Sequence, residues 1–260
     1  MKIREIEAYF ETLYPEANKC RWDNDGLLLC PDRDGEVGSV LVCLDVTFPA
    51  IEAAKECGCE LIISHHPLIF SPVKSITEDS IVGQKILLLL EAGISLLSLH
   101  TRFDAAIGGL NDIFGKDLGI LRDRDTVLLP DEPLIGGIGD LPDKLSPSEF
   151  AERVSEVLSS PVKLYSAEMD ISRVGFCCGS GKDLVLPSLF AGADAFVGGD
   201  ISYHVALDAV ERGMTVIDCG HFASEKKSVV VLADCLHAFS NELNVYPHFE
   251  ELGGEIVKYF

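Results

Sequence analysis

The stretch SVLVCLDVTFPAIEAAKECGCELIISHH, residues 39–66, decides the predicted fold. It begins with an apolar, β-branched run typical of a buried strand and then reaches Thr47 and Pro49, which are typical of a helix start. It ends in a second apolar run, Glu60–Ser64. Strands that are apolar on both faces usually lie between layers of helices. The stretch therefore predicts a β-α-β unit of an α/β protein.

The same alternation continues on both sides of this stretch. Amphipathic spacing predicts a helix over 3–14, and the first half goes on with a helix over 80–92 and a strand over 94–98. From about residue 147 the pattern begins again. It predicts helices over 146–158, 184–191 and 203–212, and strands over 173–178, 194–198 and 214–219.

Two segments of the first half are echoed in the second. Residues 39–66 are matched by SRVGFCCGSGKDLVLPSLFAGADAFVGGD, residues 172–200, and EAGISLLSLHTRFD, 91–104, by ERGMTVIDCGHFASE, 211–225. We predict two similar α/β repeats, 1–125 and 126–260, built on mixed, mostly parallel sheets flanked by helices. The charged, glycine-containing segment 121–146 is predicted to be the loop between them. Packing of the C-terminal part on the first repeat is an alternative that the sequence leaves open.

Composition limits the classes of function. With 260 residues, 47% of them hydrophobic, the chain has enough material for a core, and its formal charge of −21 disfavours binding to a nucleic acid polymer. No apolar run is long enough for a signal peptide or a membrane span. Nine cysteines, an odd number in a chain without an export signal, indicate free thiols. We therefore expect a cytoplasmic protein without a membrane partner.

Two adjacent histidines follow a predicted buried strand. His65 and His66 stand at its carboxyl end, which is the edge where open α/β sheets collect ligands. Neighbouring residues leave a strand in different directions. The pair is therefore poorly suited to one ion and well suited to two ions side by side.

Each half then offers a histidine followed four residues later by a carboxylate. These are His100 and Asp104 after one strand, and His221 and Glu225 after its counterpart. Imidazoles and carboxylates together are a suitable donor set for Zn, Fe or Mn. A single histidine at a strand end is usually structural, but the joint pattern predicts a site for two divalent metal ions. Its predicted ligands are His65, His66, Asp104, His221 and Glu225.

Several other polar residues have two open interpretations: they could orient the imidazoles or serve as caps and turns. They are Asp23, Asp25, Asp45, Asp200, His204 and Asp218. The glycine-rich segments 179–182 and 198–200 lack the spacing of a phosphate loop and are typical of tight turns. No G-x-S-x-G motif is present, so covalent catalysis is not predicted.

Six segments together resemble the Nif-three-like family. They are WDNDGLLLC at 22–30, LDVT at 44–47, SHHPLIF at 64–70, LHTRFDAAIGGLND at 99–112, GGDISYH at 198–204 and GHFASE at 220–225. The resemblance spans nearly the whole chain. It implies a duplicated, intertwined α/β protein with a dinuclear metal centre, often assembled as a toroidal hexamer and labelled GTP cyclohydrolase type 2.

The resemblance also implies individual roles. His65 and Asp104 would bind one ion, His66 and His221 the other, and Glu225 would bridge both. His100 would lie nearby without being a ligand, in an orienting or proton-transfer role. The chain departs from the family pattern at Asp25, Arg102, Gly137 and the C-terminal GGEIVKYF. We expect Arg102 to face whatever binds above the metals, so these departures bear on the substrate.

Two functions of different classes follow from this reasoning. The first is a dinuclear metal-dependent hydrolase with His100 and Glu225 as catalytic residues, acting on a small molecule; the resemblance implies a purine nucleotide such as GTP. His100 or Asp200 would move protons, and Arg102, Lys226 or Lys227 would offset the acidic field. The second is a non-catalytic metal-binding assembly protein or metallochaperone with protein partners. A purely structural metal is a weaker third reading, since two ions exceed what stability requires.

Overall fold

The computed structural model of the chain describes residues 1–129, 132–133 and 135–249. The divergent C-terminal segment GGEIVKYF lies outside the described residues. Contacts divide the chain into two units. The first unit comprises Met1–Phe103 together with the segment from Lys226 onward, and the second comprises Asp104–Glu225.

Helices and strands alternate along most of the chain. The helices are α1 (Ile3–Leu13), α2 (Phe48–Glu56), α3 (Ile81–Glu91), α4 (Thr101–Ala105), α5 (Leu110–Asp117), α6 (Pro147–Leu158), α7 (Val185–Phe190), α8 (Tyr203–Glu211), α9 (His221–Glu225) and α10 (Lys227–Phe239). The strands are β1 (Gly26–Leu29), β2 (Ser39–Cys43), β3 (Leu61–Ser64), β4 (Ser95–Ser98), β5 (Leu121–Asp123), β6 (Gly137–Leu145), β7 (Lys163–Tyr165), β8 (Ile171–Ser180), β9 (Ala195–Gly199), β10 (Thr215–Asp218) and β11 (Asn244–Pro247).

The first unit is built on a five-stranded sheet in the order β1-β4-β3-β2-β11. Strands β11, β2, β3 and β4 are parallel, and β1 pairs with β4 in the antiparallel direction. The central strands are buried along their whole length, as their apolar sequences predict. Thr47 begins α2 as expected, because its hydroxyl accepts a hydrogen bond from the amide of Ala50. Ile51 and Ile62 belong to the core under that helix.

The second unit has a six-stranded sheet in the order β5-β6-β8-β9-β10-β7. Strands β8, β9 and β10 are parallel to one another. The pairings of β5 with β6, of β6 with β8 and of β7 with β10 are antiparallel. Helix α6 begins with a capping box in which Ser146 and Glu149 each satisfy a backbone amide of the other. The core of the unit includes Phe196 and Val216.

The prediction of a loop over 121–146 was wrong in part, because this segment contains β5 and β6. Its glycines suggested a turn, but here they allow two strands to approach closely. A Cβ atom on Gly139 would lie 2.2 Å from the carbonyl oxygen of Leu121 on the paired strand. Glycine is therefore required by packing within the sheet at this position, rather than by a turn.

The predicted α/β class with mixed sheets and flanking helices is confirmed. Parallel pairing predominates only in the first sheet, because three of the five strand pairings in the second sheet are antiparallel. The repeat bounds 1–125 and 126–260 stay a prediction. All nine cysteines are free thiols. Within the described ranges, no helix combines the length and apolar character needed to cross a membrane.

Candidate metal site

Strand register brings four polar residues of the first unit to one sheet edge. Cys43, Ser64 and Ser98, the last residues of β2, β3 and β4, lie side by side in the parallel ladder. The residues that follow these strands therefore share the carboxyl edge of the sheet. They are Asp45 after β2, His65 and His66 after β3, and His100 after β4.

Three imidazoles converge at this edge. His65, His66 and His100 each offer a ring nitrogen, and these nitrogens all lie within 4.8 Å of one another. The ring centroids are 5.1 Å apart for His65 and His66, 5.3 Å for His65 and His100, and 5.6 Å for His66 and His100. His65 is fully buried, and the other two rings are half-buried. The trio is a donor set that could hold a metal ion.

Each of these rings is oriented through its Nδ1 atom. The partner is the carbonyl oxygen of Leu99 for His65, at 2.8 Å, and Asp45 Oδ1 for His66, also at 2.8 Å. For His100 it is Asp23 Oδ1, at 2.9 Å. An acceptor at Nδ1 fixes the tautomer and directs Nε2 toward a ligand, which is the usual arrangement around protein-bound metals. Metal binding by His65 or His66 would use Nε2, and Nε2 of His100 is likewise the nitrogen not engaged by its orienting carboxylate.

Asp23 is held as a carboxylate by its surroundings. Burial alone would raise its pKa, but hydrogen bonds from His100 and from the hydroxyl and amide of Thr101 outweigh burial and lower the pKa to about 2. The ionised carboxylate therefore supports a proton on Nδ1 of His100. The structure thus favours the orienting interpretation for Asp23 and Asp45 over that of a cap or turn.

Arg102 does not face an open site, contrary to the sequence-based expectation. Its side chain is buried, its Nε donates to Asp25 Oδ1 at 3.0 Å, and its Nη1 donates to Glu11 Oε2 at 3.0 Å. Burial raises the pKa of Asp25, and the adjacent guanidinium counters that shift. The two departures from the family pattern form one buried ion pair, which sequence spacing could not reveal.

In the second unit, the ends of β8, β9 and β10 likewise bring three residues to one edge. Ser180 pairs with Gly199, and Gly198 pairs with Asp218, so Gly179, Asp200 and His221 lie near the same strand ends. His221 Nδ1 is 2.7 Å from Asp200 Oδ2, and His221 Nε2 is 2.9 Å from Glu225 Oε2. Asp200 has a φ of +56°, a backbone conformation that is uncommon outside glycine.

Two acidic side chains of the second unit are buried close together. Asp104 and Glu225 are only 6% and 3% exposed, and a carboxylate oxygen of one lies within 4.8 Å of that of the other. The Cys178 thiol donates to Asp104 Oδ1 at 3.6 Å. Burial, followed by the charge of Asp104, raises the pKa of Cys178 well above its usual value, so the thiol remains a donor. Two buried carboxylates at this separation repel each other, and a bound cation would offset that repulsion.

A close backbone approach beside Glu225 was not foreseen. A Cβ atom on Gly179 would lie 2.0 Å from Glu225 Oε1 and 3.4 Å from His221 Nε2. The amide of Gly179 also donates to the hydroxyl of Ser224, at 2.9 Å. The sequence had suggested only a turn in this segment. Gly179 in fact makes room for the Glu225 carboxylate.

The remaining candidates are placed as follows. His204 is exposed on the first turn of α8 with its ring 5.4 Å from that of Tyr203, and no described contact ties it to the proposed ligands. Asp218 accepts the amide of Gly220 and pairs with Lys163, so it supports the turn before His221. Lys226 is half-buried and Lys227 is exposed.

Taken together, the fold and the side-chain groups define a mixed α/β protein with clusters of histidine and carboxylate that could bind a metal. A family match covers residues 1–251, and its description is Duf34/NIF3 (NGG1p interacting factor 3). The chain belongs to this family.

Relatives and solved structures agree with this assignment. A protein of Clostridium perfringens named GTP cyclohydrolase 1 type 2 homolog is 35% identical over 231 residues, covering 86% of this chain and 87% of its own. NIF3-like protein 1 of Drosophila melanogaster is 32% identical, over 86% of this chain and 76% of its own. A hypothetical protein of Staphylococcus aureus superposes with a TM-score of 0.85 at 26% identity, over 100% of this chain and 99% of its own. Reduced HcgD of Methanocaldococcus jannaschii superposes with a TM-score of 0.84 at 25% identity, covering 96% of this chain and 98% of its own.

Proposed function

We propose that the protein is a hydrolase that depends on two divalent metal ions, with Zn, Fe or Mn as the suitable elements. The proposed ligands are His65, His66, Asp104, His221 and Glu225. The observation that carries the proposal is the convergence of His65, His66 and His100, whose ring nitrogens lie within 4.8 Å of one another. Each ring is oriented by an acceptor at Nδ1. Histidines that serve only packing have no need for such common orientation.

The donor chemistry of each unit fits divalent ions. The first unit offers neutral imidazole nitrogens, and the second offers an imidazole and two buried carboxylates. Nitrogen and oxygen donors of this kind suit Zn, Fe and Mn. The Cys178 thiol donates to Asp104 Oδ1, and the proposed ligand set contains no thiolate. Strand-end spacing and the family resemblance predict the same five ligands.

The residues around the proposed ligands have distinct tasks in hydrolysis. Bound divalent ions supply Lewis acidity and a water molecule of lowered pKa. We propose that His100, whose Nδ1 is held by the Asp23 carboxylate, passes a proton through Nε2 to a leaving nitrogen or oxygen. Glu225 stands 2.9 Å from His221 Nε2 and is proposed to act both as ligand and as catalytic carboxylate. Asp45 and Asp200 hold His66 and His221 in place.

The names of the relatives suggest the substrate. Several are called GTP cyclohydrolase 1 type 2 homolog, so we propose a purine nucleotide such as GTP, with water added across a carbon–nitrogen bond of the imidazole ring. The net charge of −21 opposes an anionic substrate, and Arg102 is engaged with Asp25 and Glu11. We propose that Lys226 or Lys227 offsets the substrate's charge. We also propose that the protein is a cytoplasmic homo-oligomer, with the hexamer as the first assembly to test.

The test is turnover by the metal-loaded protein. GTP, other nucleotides and simple phosphoesters are assayed with wild type, Glu225→Ala and His100→Ala. Wild type should release product, Glu225→Ala should lose activity, and His100→Ala should keep its metal while losing about 10²- to 10⁴-fold in rate, because only proton transfer is removed. A wild-type protein that holds two ions per chain and turns over none of these substrates would overturn the hydrolase proposal.

One observation favours a second function. The family description names an interacting factor, so a non-catalytic metal-binding assembly protein or metallochaperone is the alternative proposal. In that case the ions would be fully enclosed by protein ligands, whereas a hydrolase needs coordination positions open to water. Exchange of bound water, measured by relaxation of solvent protons in the Mn-loaded protein, separates the two.

A further inference from the structure

Two large aromatic side chains of the first unit are exposed side by side. Trp22 is 54% exposed and Phe70 is 50% exposed, although both belong to types that proteins usually bury. Their ring centroids are 6.0 Å apart with an interplanar angle of 56°. We call these two residues the aromatic rim. Such a pair leaves ring surface in contact with water.

The aromatic rim adjoins the histidine trio directly. Trp22 lies 6.3 Å from His100 at an interplanar angle of 75°, and Phe70 lies 6.5 Å from the same imidazole at 79°. The ring of His66 follows at 5.6 Å from His100. The exposed aromatic rings therefore lie next to His100, the proposed proton-transfer residue, which in turn lies next to His66, a proposed metal ligand.

Hydrogen bonds hold the rim in place. The side-chain amide of Asn24 donates to the carbonyl oxygen of Ile69 at 2.5 Å, which ties the loop carrying Trp22 to the loop carrying Phe70. Asp23, between Trp22 and Asn24, binds His100 and Thr101. The two exposed rings are thus fixed relative to the imidazoles before any ligand arrives, which reduces the ordering cost of binding.

We propose that the aromatic rim binds the planar heteroaromatic ring of a small-molecule substrate and presents its edge to His66 and His100. This inference rests on the proposed function and adds its substrate-recognition surface. A planar aromatic ligand gains stacking and edge-to-face contacts that an aliphatic chain does not. Because the rings of Trp22 and Phe70 are inclined to each other, such a ligand can stack on one of them and meet the other edge to face. The net charge of −21 repels anionic groups of a ligand, whereas contact with the face of an uncharged ring does not involve such a group.

Trp22 provides a direct readout, because it is the only tryptophan in the chain. Guanosine and adenosine are titrated into the metal-loaded protein while tryptophan emission is followed, with ribose as the probe without a ring. The nucleosides should quench emission saturably and ribose should not. Phe70→Ala and Phe70→Leu should both weaken nucleoside binding by about fivefold to a hundredfold, because stacking is lost in both. Phe70→Tyr should retain it.

A second set of variants removes the reporter itself. Trp22→Ala and Trp22→Phe are compared by equilibrium dialysis, with Phe249→Ala as the matched control, since Phe249 is also 54% exposed in the same unit. Trp22→Ala should weaken binding by a similar factor, Trp22→Phe should restore most of it, and Phe249→Ala should change nothing. Metal content per chain is measured for each variant to show that the proposed metal ligands are intact.

The outcomes separate this inference from the proposed function. Ring binding that depends on Trp22 and Phe70, without turnover of any nucleotide, supports the rim and overturns the hydrolase. Turnover with an unchanged KM in both alanine variants overturns the rim and leaves the hydrolase standing. Absence of saturable quenching by either nucleoside also overturns it. So does a change of oligomeric state in Trp22→Ala without loss of nucleoside binding, which would assign the rim to contact between copies of the chain.

Discussion

The replacement of Gly179 by alanine is the sharpest single perturbation of the proposed ligand set. The added Cβ would lie 2.0 Å from Glu225 Oε1 and 2.8 Å from Glu225 Cδ. Ordinary contact begins at 3.4 Å, so the carboxylate oxygen has to withdraw by about 1.4 Å. Metal–ligand distances vary by only about 0.2 Å around their ideal values. The displaced carboxylate should therefore no longer serve as a ligand.

A matched glycine separates this steric effect from backbone strain. Gly179 has a φ of +63°, and alanine in that conformation costs about 1–2 kcal/mol by itself. Gly192, in the same unit, has a φ of +84° with nothing within 4 Å of its Cβ position. Gly192→Ala should therefore show the loss of stability without the loss of metal.

The assay is metal per chain after dialysis against a weak chelator, together with thermal unfolding. Gly179→Ala should bind metal at least about tenfold more weakly than Gly192→Ala, whereas the two variants should unfold at similar temperatures in the metal-free state. Equal metal retention by both variants would refute the reasoning that Glu225 contacts the bound ion.

Three further predictions concern orientation, acid stability and the core. Asp45→Asn should weaken metal binding by about 10- to 100-fold in chelator competition, because His66 loses the carboxylate that orients it. The hydrogen bond from Arg173 is the largest cause that lowers the pKa of Asp123 to about 2. The contribution of this carboxylate to stability is therefore present above pH 4 and is lost as the pH falls through about 2, so Asp123→Asn should lower the Tm at neutral pH and lose most of this difference at pH 2. Phe196→Ala should lower the free energy of unfolding by about 3–5 kcal/mol in urea titrations, since Phe196 is fully buried.

Each of these has a result that would count against it. Unchanged chelator competition in Asp45→Asn would mean that His66 needs no carboxylate partner. A Tm difference for Asp123→Asn that is as large at pH 2 as at neutral pH would assign the effect to packing rather than to charge. A loss below about 1 kcal/mol in Phe196→Ala would indicate that the core of the second unit closes around the missing ring.

Much of the fold was predictable from local sequence patterns. Runs such as Leu61–Ser64 and Thr215–Asp218 are short, mainly apolar or β-branched, and buried throughout, so their composition and length identified them as central strands. The antiparallel strands of the second sheet were harder to predict. Strand β6 carries charged residues and glycines, and its identity as a strand depends on pairing with β5 and β8, which no local pattern encodes.

The candidate site was predictable only where it lies at strand ends. His65, His66 and His100 could be placed together because parallel strands end at a common edge. Their orienting partners could not be assigned, since Asp23 lies 77 residues from His100 in the chain and Asp45 lies 21 residues from His66. The role of Gly179 depends on the carboxylate that approaches it, and sequence carries no signal for that contact beyond the glycine itself.

The number of divalent ions bound per chain tests the central claim most directly. The protein is purified without chelator and analysed by plasma mass spectrometry as wild type, His66→Ala and Glu225→Ala, one ligand being taken from each unit. We expect close to two ions in the wild type and a marked loss in both variants. A wild type that retains no metal, or two variants that retain as much as the wild type, would contradict it.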